Sequence, residues 1–138
     1  MKTLPQTCEQ CLDEFSNALE DLRSYANRNN HKPMTESQSR DLIISFEVAH
    51  EIAMKLIRKY FEKLGKGPFS GSRDATLEAF HADLIDDGKA WLDMIIDRIQ
   101  YNPVYSIDTQ GKFLENIQKQ YIGLFEKFED TMEKKLNE

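Results

Sequence analysis

The apolar residues of this chain recur at intervals of three and four along almost its whole length, and no window alternates cleanly at a period of two. Intervals of three and four keep apolar side chains on one face of an α-helix, whereas a half-buried strand requires strict alternation. The pattern therefore predicts an all-α protein folded as an up-and-down bundle of four or five helices. The predicted helices span about residues 5–27, 35–64, 72–85, 87–100 and 105–136.

Capping and helix-breaking residues set the predicted boundaries. Thr35, with Gln38 three residues later, forms a capping box, and Gly65 ends the same helix. Ser72 is predicted as the N-cap of the third helix. Pro103 ends the fourth helix, because the residue before a proline is driven out of the α region.

Length and charge narrow the class of protein. With 138 residues the chain can bury one core unaided, and we expect a single domain over residues 1–138. The formal net charge of −6 argues against broad binding to nucleic acid, which requires clustered positive charge. No stretch approaches the roughly 20 apolar residues of a membrane span, and no secretory signal is visible. We therefore expect a cytoplasmic protein without a membrane segment.

Cys8 and Cys11 form a C-x-x-C pair on the apolar stripe of the first predicted helix. A structural zinc site needs four ligands at matched spacings, and a redox pair is typical of a βαβ context. Neither condition is met, so we expect both cysteines to pack in the core and, in the cytoplasm, to stay reduced.

A basic cluster surrounds the glycine-rich segment 65–71. This segment lacks the residue order of a phosphate-binding P-loop and is predicted to be a connection between helices. Basic residues at a helix C-terminus complement the helix dipole, which is the favoured interpretation, and a phosphate-holding role is the alternative. The cluster consists of Lys55, Arg58, Lys59, Lys63, Lys66 and Arg73.

Two E-x-x-H pairs, Glu47/His50 and Glu78/His81, lie on different predicted helices. In four-helix bundles such pairs hold a di-metal centre, together with one Glu from each remaining helix. No Glu of the first or last helix lies on an apolar stripe, where a ligand is required. We expect His50 to pack in or beside the core and His81 to meet solvent.

Glu47, Glu51 and Lys55 follow one another at intervals of four and share one helix face. Flanking apolar residues place this face at the edge of the core, where carboxylates usually need partners. Arg98 is the predicted partner of Glu51. The simpler alternative is a solvated face with an i,i+4 pair between Glu51 and Lys55.

Two motifs give the chain a resemblance to a known family. The first is residues 46–55, and the second runs from residues 91–94 through Arg98 to Tyr105. Together they resemble the nucleotidyltransferase substrate-binding proteins of the HEPN superfamily, whose second motif reads Arg, four spacer residues, His, one residue, Tyr. The Arg and the Tyr are present here, but Pro103 stands at the position of the His.

The resemblance implies a helical-bundle homodimer that associates with a separate minimal nucleotidyltransferase. In relatives that form toxin–antitoxin pairs, the HEPN protein cleaves RNA and the nucleotidyltransferase silences it by adding AMP to the motif Tyr. By position, Arg98 would hold an anion and Tyr105 would be modified or would position a ligand. The competing interpretation is an ion pair of Arg98 with Asp93, Asp97 or Glu51, since arginine is the preferred partner in buried ion pairs.

The absence of this His decides whether the predicted site cleaves RNA or only binds a ligand. Metal-independent RNA cleavage needs a group that moves the proton of the 2′-hydroxyl, and His suits this task because its pKa is near neutrality. The side chain of Pro103 can neither donate nor accept a proton. Ile99 also replaces the family's Asn, and Met54 replaces an aromatic residue.

We therefore predict a non-catalytic subunit that binds substrate or partner in a two-component nucleotidyltransferase system, derived from a HEPN toxin. A HEPN ribonuclease toxin neutralised by a nucleotidyltransferase antitoxin is the alternative, and a di-metal carboxylate protein is the third interpretation. We expect a homodimer, no catalytic residue, no metal and no cofactor, with a nucleotide or phosphate as a candidate ligand. The predicted binding residues are Arg98, Tyr105, Glu51, Glu47, Lys55 and Trp91.

Overall fold

The computed structural model describes residues 6–27 and 33–138, and every regular element in these ranges is helical. The α-helices are α1 (Cys8–Ala26), α2 (Glu36–Lys63), α3 (Ser72–His81), α4 (Gly88–Gln100), α5 (Gly111–Asn116) and α6 (Ile122–Leu136). The predicted all-α bundle is confirmed. The predicted start of the first helix at residue 5 lies outside the described residues. Within the described ranges, no helix is long and apolar enough to cross a membrane.

Helices α1 and α2 pack side by side and run antiparallel. Two ion pairs fix this direction: Lys55 Nζ lies 2.9 Å from Glu14 Oε1, and Lys63 Nζ lies 3.6 Å from Glu9 Oε1. The later lysine of α2, Lys63, therefore pairs with the earlier glutamate of α1, Glu9, as antiparallel helices require. Helix α6 packs against α1, while α3 and α4 pack against each other and α3 against α2.

The core is organised around the aromatic ring of Phe46 on α2, which is fully buried. Its ring stacks on Tyr121 at a centroid distance of 5.3 Å and on Phe125 at 5.4 Å. It also meets the edge of Phe113 at 5.5 Å. Aromatic pairs in these arrangements add stabilisation beyond the area they bury. Phe46 therefore fixes how α2 is rotated relative to the last helical stretch.

The predicted ends of α2 are confirmed. The Thr35 hydroxyl accepts a hydrogen bond from Gln38 N, and the Gln38 side chain accepts one from Thr35 N, so the capping box is complete. At the other end, Gly65 follows the helix with a φ of 76°, a conformation that glycine adopts without steric cost.

The predicted extent of the third helix, residues 72–85, is wrong at its C-terminal end. Helix α3 stops at His81 because Asp83 takes a left-handed conformation with a φ of 60°. Leu84 N then donates to Ala79 O at 2.9 Å and Asp83 N to Phe80 O at 3.1 Å, which is the Schellman pattern. This turn directs Leu84 into the core.

The predicted N-cap of α3 is also wrong. Gly71 is the N-cap and Ser72 is the first helical residue, so no side chain caps the helix. The Ser72 hydroxyl instead accepts a hydrogen bond from Arg58 on α2 at 3.3 Å.

The predicted last helix, residues 105–136, is less regular than expected. It opens with a 3₁₀ turn, Ile107–Gln110, which Ser106 caps, and regular α-helix begins only at Gly111. A π-helical segment, Ile117–Tyr121, joins α5 to α6 with helical backbone angles throughout. Tyr105 therefore lies before the helix and not in it.

The π-helical segment places Tyr121 against α4. The Tyr121 hydroxyl donates to Asp97 Oδ2 at 2.5 Å, and the Asn116 side chain donates to the same oxygen at 3.0 Å. Burial, followed by the hydrogen bond to Asp97, raises the pKa of Tyr121, so the phenol keeps its proton. These two bonds tie α4 to the last helical stretch, one residue before Arg98.

We expect the substitution Tyr121→Phe to lower the free energy of unfolding by about 1–3 kcal/mol, because the half-buried carboxylate of Asp97 loses a donor. Urea denaturation measures this. Tyr60→Phe is the matched control, since no hydrogen bond of the Tyr60 hydroxyl is seen among the described residues, and it should change stability by less than about 0.5 kcal/mol. Equal losses in both variants would contradict a structural role for the Tyr121–Asp97 bond.

Candidate functional site

Arg98 lies in the last turn of α4 and reaches across to α2. Its Nη1 donates to Glu51 Oε2 at 3.0 Å, which confirms the predicted partner. Its Nε lies 3.9 Å from Glu47 Oε2, close enough for an ion pair but not for a hydrogen bond. Both carboxylates of the predicted helix face therefore converge on this guanidinium.

The two other carboxylates considered for Arg98 have different partners. Asp93 pairs with Lys89 at 3.1 Å along the same helix. Asp97 accepts from Tyr121 and Asn116. Arg98 is therefore bound across the bundle to α2 and not along its own helix.

His50 is a third neighbour of Arg98, and sequence reasoning placed it in the core without linking it to this arginine. It is 1% exposed, and its ring stacks on Phe46 at a centroid distance of 5.9 Å. Arg98 Nη1 lies 2.9 Å from His50 Nδ1. Since a guanidinium can only donate, Nδ1 is the acceptor and the ring proton is assigned to Nε2. The expectation that His50 packs in the core is confirmed.

The environment keeps His50 neutral. Burial, followed by the charges of Arg98 and Arg58, lowers the pKa of His50 to about 3. Its Nε2 is buried and has no hydrogen-bond partner. Burial raises the pKa of the Glu47 carboxyl group, and the charge of Arg98 partly offsets this rise.

A pocket of about 340 Å³ opens beside these groups, between α2, the N-terminus of α3 and α4. We call it the Arg98 pocket. Its apolar wall comes from one side of α4, and Ile99 is 77% exposed. The residues that line it are Glu47, His50, Ser72, Ile95, Arg98 and Ile99.

Tyr105 does not line the Arg98 pocket. It ends a turn in which Tyr105 N donates to Asn102 O at 3.1 Å and Val104 N to Asn102 Oδ1 at 2.9 Å. Arg40 holds the turn through its Nη2, which donates to the Tyr105 carbonyl at 2.9 Å. The Tyr105 side chain is left 60% exposed.

Three further predicted binding residues, Glu51, Lys55 and Trp91, also do not line the Arg98 pocket, and of these Glu51 contacts Arg98. Lys55 donates to both oxygens of Glu14, at 2.9 and 3.1 Å, and so joins α1 to α2 in place of the proposed pair with Glu51. Trp91 is 1% exposed and packs against Phe125 and Phe128 in the core.

The other motifs of the sequence have structural contacts. Cys8 and Cys11 are both buried, as expected, and burial raises the pKa of each thiol. In the basic cluster, Lys63 is paired with Glu9, and Arg58 donates to Ser72.

The di-metal interpretation finds no support in the geometry. His50 uses Nδ1 to accept from Arg98, and His81 is exposed at the end of α3, as expected. Among the described residues, no group of three or more His, Cys, Asp or Glu side chains is arranged to hold a metal ion.

Comparison with known proteins gives one assignment. A family model described as "Nucleotidyltransferase substrate binding protein like" matches residues 10–134. No curated protein matches the chain.

The pKa of His50 predicts a loss of stability in acid. Unfolded histidine binds a proton below its ordinary pKa of 6.5, whereas folded His50 stays neutral down to about 3. Between these values the unfolded state holds more protons, so the free energy of unfolding decreases as the pH is lowered, by up to about 1.4 kcal/mol per pH unit. Urea denaturation from pH 7 to pH 4 measures the slope.

The slope should be smaller in His50→Gln, because this variant removes the titrating ring and keeps an acceptor for Arg98. His81→Gln is the matched control, since the side chain is exposed, and it should keep the wild-type slope. Comparing variants cancels the carboxylates that titrate in the same range. A His50→Gln slope equal to that of the wild type would show that His50 does not resist protonation.

Proposed function

The chain belongs to the nucleotidyltransferase substrate-binding protein family, and from that premise we propose that it is the non-catalytic binding subunit of a two-component nucleotidyltransferase system. In this proposal a separate minimal nucleotidyltransferase supplies the chemistry. The observation that carries it is the state of the Arg98 pocket, where an arginine with partly unused donors is kept beside a small cavity. The position of the family's proton-transferring His is occupied by Pro103.

The neighbours of Arg98 support a binding role over RNA cleavage. His50 is the histidine that contacts Arg98, but its ring is buried and its pKa is lowered to about 3. A general base works best when its pKa lies near the working pH and it can reach the substrate proton. His50 meets neither requirement, so it does not replace the missing His.

The exposure of Tyr105 supports its proposed role as the acceptor of AMP, which the nucleotidyltransferase would transfer from ATP with release of pyrophosphate. Arg40 fixes the backbone of the turn, while the phenol extends into solvent. Tyr101, four residues earlier, offers a contrast because its hydroxyl accepts a hydrogen bond from Arg40 Nη1 at 3.1 Å. An acceptor hydroxyl has to enter the active site of another protein, which Tyr105 alone of the two is placed to do.

Exposed apolar side chains support the proposed homodimer. They lie on the outer faces of α2 and α4, which are joined through Arg98. A two-fold interface uses the same patch on both subunits, so one self-complementary surface is enough. These side chains are Ile44, Val48, Ile96 and Ile99, which are between 48% and 77% exposed.

Co-expression with a minimal nucleotidyltransferase encoded in an adjacent reading frame tests the proposal. We expect the two proteins to purify as one complex, and mass spectrometry to find an AMP-sized addition on Tyr105 and none on Tyr101. Tyr105→Phe should remove the addition without dissolving the complex. Failure to form a complex would contradict the proposed function, whereas a complex with unmodified Tyr105 would contradict only the acceptor role.

The alternative function, a ribonuclease toxin, makes a different prediction for the protein alone. We expect purified wild-type protein to leave single-stranded RNA intact, at the same background as Arg98→Ala, because no proton-transferring side chain stands at position 103. Gel analysis with a fluorescent RNA measures cleavage. Cleavage by the wild type that is lost in Arg98→Ala would establish the ribonuclease and overturn the non-catalytic assignment.

A further inference from the structure

Arg40, near the start of α2, holds the turn that carries Tyr105 at two points. Its Nη2 donates to the Tyr105 carbonyl at 2.9 Å, and its Nη1 donates to the Tyr101 hydroxyl at 3.1 Å. A guanidinium is planar and presents its donors in a fixed fork. The distance between these two acceptors, one on each side of the turn, is therefore fixed by a single side chain.

The guanidinium of Arg40 is itself held in place. Glu36, four residues earlier on α2, accepts a hydrogen bond from Nη2 at 2.9 Å. Tyr101 packs against Phe113 at a ring-centroid distance of 5.9 Å, and Phe113 meets Phe46 at 5.5 Å. Arg40 thus connects the exposed turn to the aromatic core.

The backbone on both sides of Tyr105 is also fixed. Tyr105 N donates to Asn102 O at 3.1 Å, and the Asn102 side chain accepts from Val104 N at 2.9 Å. Ser106, the next residue, caps the 3₁₀ turn that follows. The N–H and the carbonyl of Tyr105 are therefore both bonded, whereas its side chain is 60% exposed.

We propose that Arg40 is a positioning residue for AMP transfer to Tyr105: it fixes the turn so that the phenol enters the partner's active site in one orientation. This role rests on the proposed function of Tyr105 as the acceptor. In the transfer, the phenol oxygen bonds to the α-phosphorus of ATP, and the bond from that phosphorus to the bridging oxygen of the β-phosphate breaks. Pyrophosphate leaves, and the phenol proton is released to solvent.

Positioning affects this reaction because ATP and the acceptor are held by different proteins. The attacking oxygen has to lie about 3–3.5 Å from the phosphorus and in line with the leaving group. A turn with several orientations places the oxygen there for only part of the time, which lowers the rate. Arg40 is 24% exposed and both its Nη atoms are bonded within the chain, so it acts through the turn and not by touching the partner.

The experiment measures AMP addition to Tyr105 by mass spectrometry in the complex with the nucleotidyltransferase from the adjacent reading frame. We expect Arg40→Gln to lower the rate at saturating ATP about tenfold, because glutamine lacks the fork that spans the turn. The KM for ATP and the Kd of the complex should both stay within about twofold of the wild type, since the partner binds ATP and Arg40 does not touch the partner.

Arg23→Gln is the matched control for the loss of charge. Arg23 has a similar exposure of 31% and pairs with Glu20 on α1 and Glu126 on α6, away from the turn. It should keep the wild-type rate. An equal loss of rate in both variants, or an unchanged rate in Arg40→Gln, would overturn the positioning role. A loss of rate matched by weaker binding of the partner would make Arg40 a docking contact and would also overturn it.

Arg40→Lys separates the fork from the charge. Lysine keeps the positive charge and can pair with Glu36, but its single nitrogen cannot span the Tyr101 hydroxyl and the Tyr105 carbonyl. We expect the rate of AMP addition to stay at least about threefold below the wild type. Full recovery of the rate in this variant would show that charge alone is sufficient and would overturn the role of the fork.

Hydrogen exchange of the free chain tests the hold on the turn without the partner. We expect Arg40→Gln to speed exchange of the Tyr105 amide about fivefold, the effect of losing roughly one hydrogen bond that restrains the turn. Arg23→Gln should leave this amide unchanged. Circular dichroism confirms that each variant is folded. Unchanged exchange at Tyr105 in folded Arg40→Gln would overturn the proposal.

The positioning role and the proposed function fail on different results. A wild-type complex in which Tyr105 stays unmodified would contradict the acceptor role, and the positioning role would fall with it. Modification of Tyr105 at the same rate in the wild type and in Arg40→Gln would overturn the positioning role alone and leave the acceptor role standing.

Discussion

The burial of Phe46 is the constraint on which the rest of the structure depends. Its ring is packed between Tyr121, Phe125 and Phe113, so α2 cannot rotate without exposing a large aromatic surface. Positions four apart share a helix face, and His50 therefore stacks on Phe46 one turn later. Glu47, the residue after Phe46, faces α4 and lies 3.9 Å from Arg98 Nε. The core thus decides which α2 side chains meet Arg98, and the site requires no separate scaffold.

Arg98 lies between the buried core and solvent, and its three partners differ in burial and in distance. His50 is buried and neutral, Glu51 is exposed, and Glu47 lies too far from Nε for a hydrogen bond. Two donors stay unpaired, and each unpaired buried donor costs about 1–3 kcal/mol. The hydrogen bond from Tyr121 to Asp97 fixes the position of α4 one residue before Arg98, whose Nε has no hydrogen-bond partner.

Sequence reasoning found the elements that local chemistry specifies and missed those that depend on tertiary contacts. The ends of α2 follow from a capping box and a glycine, both visible in the sequence. The end of α3 does not, because a non-glycine residue, Asp83, adopts the left-handed conformation that stops the helix. The π-helical segment has no sequence signal. It is explained by the fit of Tyr121 between Phe46 and Asp97.

The candidate site divides in the same way. The pair between Arg98 and Glu51 was predictable because both residues lie on marked helix faces. The partner of Lys55 was not predictable, since Glu14 comes from α1 and helix pairing decides which faces meet. His50 was placed in the core from its spacing, but its contact with Arg98 depends on how α4 crosses α2. Ser72 was read as a cap, and its place in the pocket depends on Arg58.

Pro103 shapes the backbone between Arg98 and Tyr105. It fixes a turn in which Tyr105 N bonds to Asn102 O, and Arg40 holds that turn against the start of α2. Arg98 contacts α2 further along the helix, at Glu47 and Glu51. Arg98 and Tyr105 thus belong to two surfaces with separate supports. A catalytic site needs its groups around one reacting atom, whereas binding and modification can proceed at two places. The separation of Arg98 from Tyr105 by this turn therefore supports the proposed binding role over RNA cleavage.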